Sequence, residues 1–107
     1  MKEYNDRIEY RNELGELHRL DGPAVEFRIG TKMWYINGKL HREDGPACEY
    51  INGTKKWFRN NKLHREDGPA IEYVYGELCW YLEGKEYFKK NFDKELLNLK
   101  LKRLKNL

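Results

Sequence analysis

The chain is short of aliphatic residues, of cysteine and of proline, and each shortage closes off a class of protein. Hydrophobic residues make up 39% of its 107 residues, below the ~45–50% usual for globular domains. Two cysteines exclude a disulfide-stapled scaffold and, read as free thiols, fit a reducing cytoplasm. No run approaches the ~18 consecutive apolar residues of a membrane span. The opening Met1-Lys2-Glu3-Tyr4-Asn5-Asp6 lacks the apolar stretch of a secretory leader, so no export signal is expected. Nor does one sign of charge dominate, with 21 Lys+Arg against 18 Asp+Glu. What the chain does hold is aromatics: eight Tyr, four Phe and three Trp. That content argues against disorder, and with so few aliphatics it points to thin, wide burial instead of a thick core.

Charge divides the chain in two. Residues 1–88 carry 14 basic and 16 acidic side chains, a net of −2. Residues 89–107 carry seven basic and two acidic side chains, a net of +5. Basicity is therefore a property of the tail.

The three prolines stand in one recurring segment. Leu17-His18-Arg19-Leu20-Asp21-Gly22-Pro23-Ala24 returns as Leu40-His41-Arg42-Glu43-Asp44-Gly45-Pro46-Ala47 and again as Leu63-His64-Arg65-Glu66-Asp67-Gly68-Pro69-Ala70, 23 residues apart each time. The same shift superposes Glu26, Glu49 and Glu72, then Gly30, Gly53 and Gly76, then Trp34, Trp57 and Trp80, so ten of the 23 positions are identical in all three copies. The copies run over residues 16–38, 39–61 and 62–84. A partial copy at 7–15 precedes them, with Arg11 where Trp is expected, and the pattern lapses after Gly84. Irregular end copies are usual in repeat proteins, because they cap the stack.

Each copy reads as a β-hairpin: in the first, a strand over Ala24–Ile29, a Gly-containing turn, a strand over Lys32–Asn37 and a return loop to Asp-Gly-Pro. Asn52-Gly53 predicts a two-residue type I′ turn, and Pro suits a loop because it has no N–H for a central ladder. Period-2 alternation then places Val25, Cys48 and Ile71, Phe27, Tyr50 and Tyr73, Trp34, Trp57 and Trp80, and Ile36, Arg59 and Leu82 on one face. Glu26, Glu49 and Glu72, Met33, Lys56 and Cys79, and Tyr35, Phe58 and Tyr81 go to the other. A one-residue bulge would exchange these faces. The expected fold is mainly β with a C-terminal helix: an antiparallel meander of stacked hairpins, roughly seven or eight strands, over residues 1–88. A basic amphipathic helix over 89–107 follows, with Asp93 as its N-cap. At ~100° per residue Phe88, Phe92, Leu96 and Leu99 share one side and would cover a sheet face, leaving Leu97, Leu101 and Leu104 on another.

The period, with Leu-His-Arg-Glu-Asp-Gly-Pro-Ala, then Glu and an aromatic, then Gly-Thr and Trp, resembles the MORN repeat, in the variant form found in small bacterial and phage proteins. The resemblance spans about Arg7 to Phe88. It implies a hairpin-stack sheet and an interaction role without catalytic residues, in a family that includes antitoxins and many phage products. Arg11 in place of Trp and Asn61 in place of Gly depart from it, at an edge and a turn.

His18, His41 and His64 beside Asp21, Asp44 and Asp67, with Glu43 and Glu66, are the raw material of metal or acid–base sites. Equivalent histidines two strands apart are ~9–10 Å from one another, too far for one zinc, and a triplicated site suits catalysis poorly. The blander reading is that His and Arg brace the Asp-Gly-Pro turn. Cys48, aligned with Val25 and Ile71, reads as a buried small hydrophobe, and Cys79 as pointing away from it. The Trp ladder reads as repeat core. Tyr35, Phe58 and Tyr81 suit a protein partner better than single-stranded bases, because a row of glutamates lies beside them.

The expectation is a non-enzymatic interaction protein without cofactor or metal. It would bind and inhibit another protein, as an antitoxin or a phage anti-defence inhibitor does, in the cytoplasm of a bacterium or infected cell. Tyr35, Phe58, Tyr81, Leu97, Leu101, Leu104, Lys100, Lys102 and Arg103 are the candidate contacts, and self-association through the helix is a further use for its leucines. Nucleic-acid binding by the Lys-rich tail is the alternative. A membrane role is not expected, since no Trp or Phe anchor follows Phe92.

Overall fold

The computed structural model describes residues 1–106. Thirteen short strands precede one helix: β1 (Lys2–Glu3), β2 (Arg7–Glu9), β3 (Val25–Phe27), β4 (Lys32–Met33), β5 (Tyr35–Ile36), β6 (Lys39–Leu40), β7 (Cys48–Glu49), β8 (Lys55–Lys56), β9 (Phe58–Arg59), β10 (Lys62–Leu63), β11 (Ile71–Glu72), β12 (Leu78–Leu82), β13 (Lys85–Tyr87) and α1 (Lys89–Lys105). Nine of them form one sheet in the order β1-β2-β3-β4-β7-β8-β11-β12-β13, while β5–β6 and β9–β10 form separate two-stranded ribbons. The protein is therefore mainly β, with antiparallel pairing and one C-terminal helix. It is a slab of 46 × 38 × 18 Å.

Two kinds of turn alternate along the chain. The first is a three-residue loop: Tyr50 N–H donates to Thr54 O, Gly53 N–H donates to Tyr50 O, and Gly53 takes the left-handed conformation with φ 97°. The second is the two-residue turn joining β5 to β6, where Asn37 and Gly38 have φ of 48° and 80°, as a type I′ turn requires. Asn52-Gly53 thus sits in a three-residue loop closed by a left-handed glycine, and the I′ turn is at Asn37-Gly38, inside what the sequence suggests is a return loop.

This loop length turns over the second strand of each hairpin relative to the expected faces. An odd loop pairs Val25 with Met33, Met33 with Cys48, Cys48 with Lys56, and Ile71 with both Lys56 and Cys79. Residues directly opposite in an antiparallel pair share a face. One face therefore carries Val25, Met33, Cys48, Lys56, Ile71 and Cys79, with Tyr35, Tyr50, Phe58, Tyr73 and Tyr81 in step with them. The tryptophans lie on the opposite face with Glu26, Glu49 and Glu72. Cys48 and Cys79 consequently point the same way and stay apart because β8 and β11 lie between their strands.

The first, partial copy is one residue out of step. Its turn has three residues between Asn12 and Glu16, whose N–H and C=O pair, where the later copies have two. Tyr10, not Arg11, therefore takes the tryptophan's place: Tyr10 N–H donates to Ala24 O as Trp34 N–H does to Ala47 O and Trp57 N–H to Ala70 O.

Burial is thin. Ala24, Ala47 and Ala70, with Val25, Cys48 and Ile71, form a buried row across the sheet, and Leu82 and Phe92 form a second cluster beneath the helix. The tryptophans are only half-buried.

Candidate interaction surfaces

The tryptophan face closes on itself. Arg42 lies 3.8 Å above the Trp34 ring, Arg65 lies 3.9 Å above Trp57, and Arg19 lies 3.9 Å above Tyr10. Each guanidinium is held on its far side. Arg42 Nε donates to Asp44 at 3.1 Å, and its Nη1 donates to Pro46 O at 3.0 Å and to Glu49 at 2.9 Å. Arg65 repeats the set on Asp67, Pro69 and Glu72, and Arg19 on Asp21 and Pro23. A Cβ at Gly45 would stand 2.9 Å from Arg42 Cζ, so glycine there lets the guanidinium lie between loop and ring. Arginine, planar and with forked donors, suits this sandwich of π-face and carboxylates in a way lysine does not. Trp80 has only Lys89, at 5.7 Å. The recurrence of Arg eight residues after Trp34 and Trp57 is the signal that would have found the stack.

The histidines do more than brace their own loops. His18, His41 and His64 accept, through Nδ1, the backbone N–H of Asn37, Asn60 and Glu83 at 2.9, 3.1 and 2.9 Å. Each imidazole thus ties the start of its copy to the left-handed residue of the type I′ turn at the end of the same copy. Nε2 meets Glu43 at 2.6 Å for His41 and Glu66 at 2.7 Å for His64, while Leu20 leaves His18 without that partner. His41 and His64 thus bond the glutamate of their own loops, while Arg bonds the Asp and the Pro carbonyl of the turn. Among the described residues no group of three or more His, Cys, Asp or Glu side chains is placed to hold a metal.

Glu66 is the busiest of these carboxylates. Besides His64 it accepts from Arg103 of α1 at 2.7 and 3.3 Å, with Arg59 at 3.5 Å. The Arg103 bond, seconded by His64, holds its carboxyl at about 2 against the opposing effect of burial. Glu43, Asp44, Arg59, His64 and Glu66 border an open cleft of 490 Å³ between the second and third Asp-Gly-Pro loops. Its polar rim is already satisfied within the chain.

The opposite face is aromatic and half-buried. Tyr35, Phe58 and Tyr81 lie on it as a row, beside Val25, Cys48 and Ile71 and away from the glutamates. Tyr50 lies beside Cys48 among Tyr35 and Tyr73, and burial, followed by the Cys48 thiol, raises its hydroxyl to about 12. Burial likewise pushes the Cys48 thiol up.

The helix covers only the last hairpin, on the tryptophan side. It begins at Lys89, with Phe88 as an N-cap that makes no side-chain capping bond, so Asp93 lies inside it. Phe92 is buried and Leu96 and Leu99 are half-buried, whereas Phe88, expected among them, is 76% exposed because it precedes the first turn in extended backbone. Leu97, Leu101 and Leu104 are 56%, 47% and 64% exposed and form a stripe at i, i+4, i+7. Lys100 and Lys102 are exposed, and Arg103 is engaged with Glu66. No helix is long and apolar enough to cross a membrane among the described residues.

Compared with known proteins, the chain matches no family model, no curated protein and no solved structure.

Proposed function

We propose that the chain is a non-enzymatic protein-interaction module, a stack of 23-residue hairpin repeats of the MORN-variant kind, which binds another cytoplasmic protein and inhibits it. The observation that carries this reading is the leucine stripe on α1. Phe92, Leu96 and Leu99 fasten the inner side of the helix, Arg103 pins it to Glu66, and Leu97, Leu101 and Leu104 are left facing out on a rigid support. A helix offering apolar anchors at i, i+4 and i+7 is a standard way to enter a groove on a partner. The half-buried aromatic row Tyr35, Phe58 and Tyr81 supports the same class of role, since aromatics are enriched at protein interfaces and charged residues depleted at their centres. An antitoxin or a phage anti-defence inhibitor is the kind of protein this describes.

Affinity capture from a bacterial lysate tests it, run with the wild type beside Leu101→Glu/Leu104→Glu. A partner captured by the first, lost by the second and slowed in its own activity by the first supports the reading. Capture of nucleic acid instead, with a steep log–log dependence of binding on salt, would move the function to Lys100, Lys102 and their neighbours.

A further inference from the structure

We infer that the aromatic face is a self-association surface, on which two copies of this chain stack face to face about a two-fold axis parallel to the strands. This goes beyond the proposed function, which uses the helix on the other side of the sheet.

The first argument is the inequality of the two faces. Domains are built from at least two packed layers, because a sheet with one apolar face must bury it. On the tryptophan side the second layer exists: guanidinium groups, Asp-Gly-Pro loops and the helix. On the other side Met33, Tyr35, Tyr50, Phe58, Tyr73 and Tyr81 are half-buried by their neighbours in the sheet, while the helix packs on β12 from the tryptophan side. Lys56 is the charge near the middle, folded 5.4 Å above the Tyr50 ring.

The second argument is size. The slab outline is 46 × 38 Å, and even half of it exceeds the ~800 Å² per partner of a stable interface. Two such sheets would stack ~10 Å apart as a sandwich.

The third argument selects a second copy over any other occupant. At the β1–β2 end the face carries Lys2, opposite Glu9 in the ladder, with Arg7 and Arg11 bonded to that carboxylate and Arg7 also to Asp6 at 2.8 Å: three positive groups to two negative. At the β12–β13 end it carries Glu77, beside Tyr75, and Glu86, opposite Tyr81. The face is thus positive at one end, aromatic in the middle and negative at the other. In the strand order β7 is central, so a two-fold axis there sets β12–β13 of one copy over β1–β2 of the other. Each positive end then meets a negative end, twice, as an isologous contact demands.

Sedimentation velocity on the full chain tests this. The wild type should be a dimer that weakens as salt is raised. Glu77→Lys/Glu86→Lys, both at the surface, should raise the dissociation constant at least ~10-fold. Tyr50→Glu, beside the axis, should give a monomer with unchanged circular dichroism. If Tyr50→Glu does not fold, the Glu77/Glu86 pair decides alone. Leu101→Glu/Leu104→Glu should leave the dimer intact, so failure here is separable from failure of the helix reading. A wild type that is monomeric at about 100 µM, far above the ~1 µM that interfaces of this size reach, overturns the inference. So does a Glu77→Lys/Glu86→Lys variant that dimerises as well as the wild type, or association lost only in the leucine variant.

Discussion

Arg103 reaches Glu66 at 2.7 Å across 37 residues of sequence, and this contact joins the helix to the third repeat. The same carboxylate receives the buried His64 imidazole, so helix, loop and type I′ turn converge on one side chain.

Glu66 should therefore mark the acid limb of stability. Its folded value of about 2 lies below the ordinary 4.5. A carboxylate depressed on folding contributes fully above its unfolded value, and the contribution is lost as pH falls through the folded one. Glu66→Gln should melt below the wild type in neutral buffer, and the gap should close between pH 4.5 and about 2. A gap that stays constant over that window would mean that the Glu66 charge plays no part.

Trp57 and Arg65 should behave as a coupled pair. Trp57→Ala should cost ~3 kcal/mol in urea unfolding, and Arg65→Ala ~2 kcal/mol, since it loses a ring contact and charge-assisted hydrogen bonds. The double variant should cost less than the two added, by ~1 kcal/mol. Strict additivity would show the stacking to be energetically idle.

The three histidines are identical in sequence context but not in depth. His64 is 5% exposed and has both ring nitrogens engaged; His18 has one. His64→Ala should cost ~1–3 kcal/mol, the range for orphaning a buried partner, and His18→Ala less. Equal losses would show that the Glu66 contact adds nothing.

How far the sequence can be read depends on counting residues in turns. The 23-residue period, the strand-rich body, the helix and the exposed leucines of its outer stripe are all legible. Ten identities per copy fix the period, and a long stretch without Gly or Pro marks the helix. The faces are not, because Gly53 closes a three-residue loop that a two-residue reading of Asn52-Gly53 shortens by one, and one residue turns over the second strand of each hairpin. Tyr10 in the tryptophan's place has the same cause at the first turn. The Arg–Trp stacks are invisible to periodicity, since they link residues eight apart through a folded loop. The start of the helix at Lys89 has no capping signal at all.

Removing residues 93–107 should expose Leu82 and take away Leu96, Leu99 and Arg103. Light scattering should then show aggregation at concentrations where the intact chain is clear. A truncated chain that stays folded and soluble would make the helix a dispensable appendage.

The thiols should differ in reactivity. Cys48 is 1% exposed and its thiol is pushed up by burial, so a thiol reagent should reach it only on unfolding. Cys79, half-buried, should label in the native state. Two fast-labelling thiols would show that the buried row opens readily.

The imidazole closes each copy on itself, and a hydroxyl joins each copy to the next: Thr31 Oγ accepts Ile51 N–H at 3.1 Å, and Thr54 Oγ accepts Val74 N–H at 3.2 Å. Each copy therefore carries, in itself, the fittings for its successor and needs nothing from copies further away. Such a chain is extensible. A fourth unit of 23 residues inserted after residue 61 would meet a threonine on one side and an arginine on the other already set to receive it. It would widen the slab by two strands, ~10 Å, without disturbing either end. Length in this protein is a quantity that tandem duplication can adjust in whole steps, and the span of its surfaces is adjusted with it.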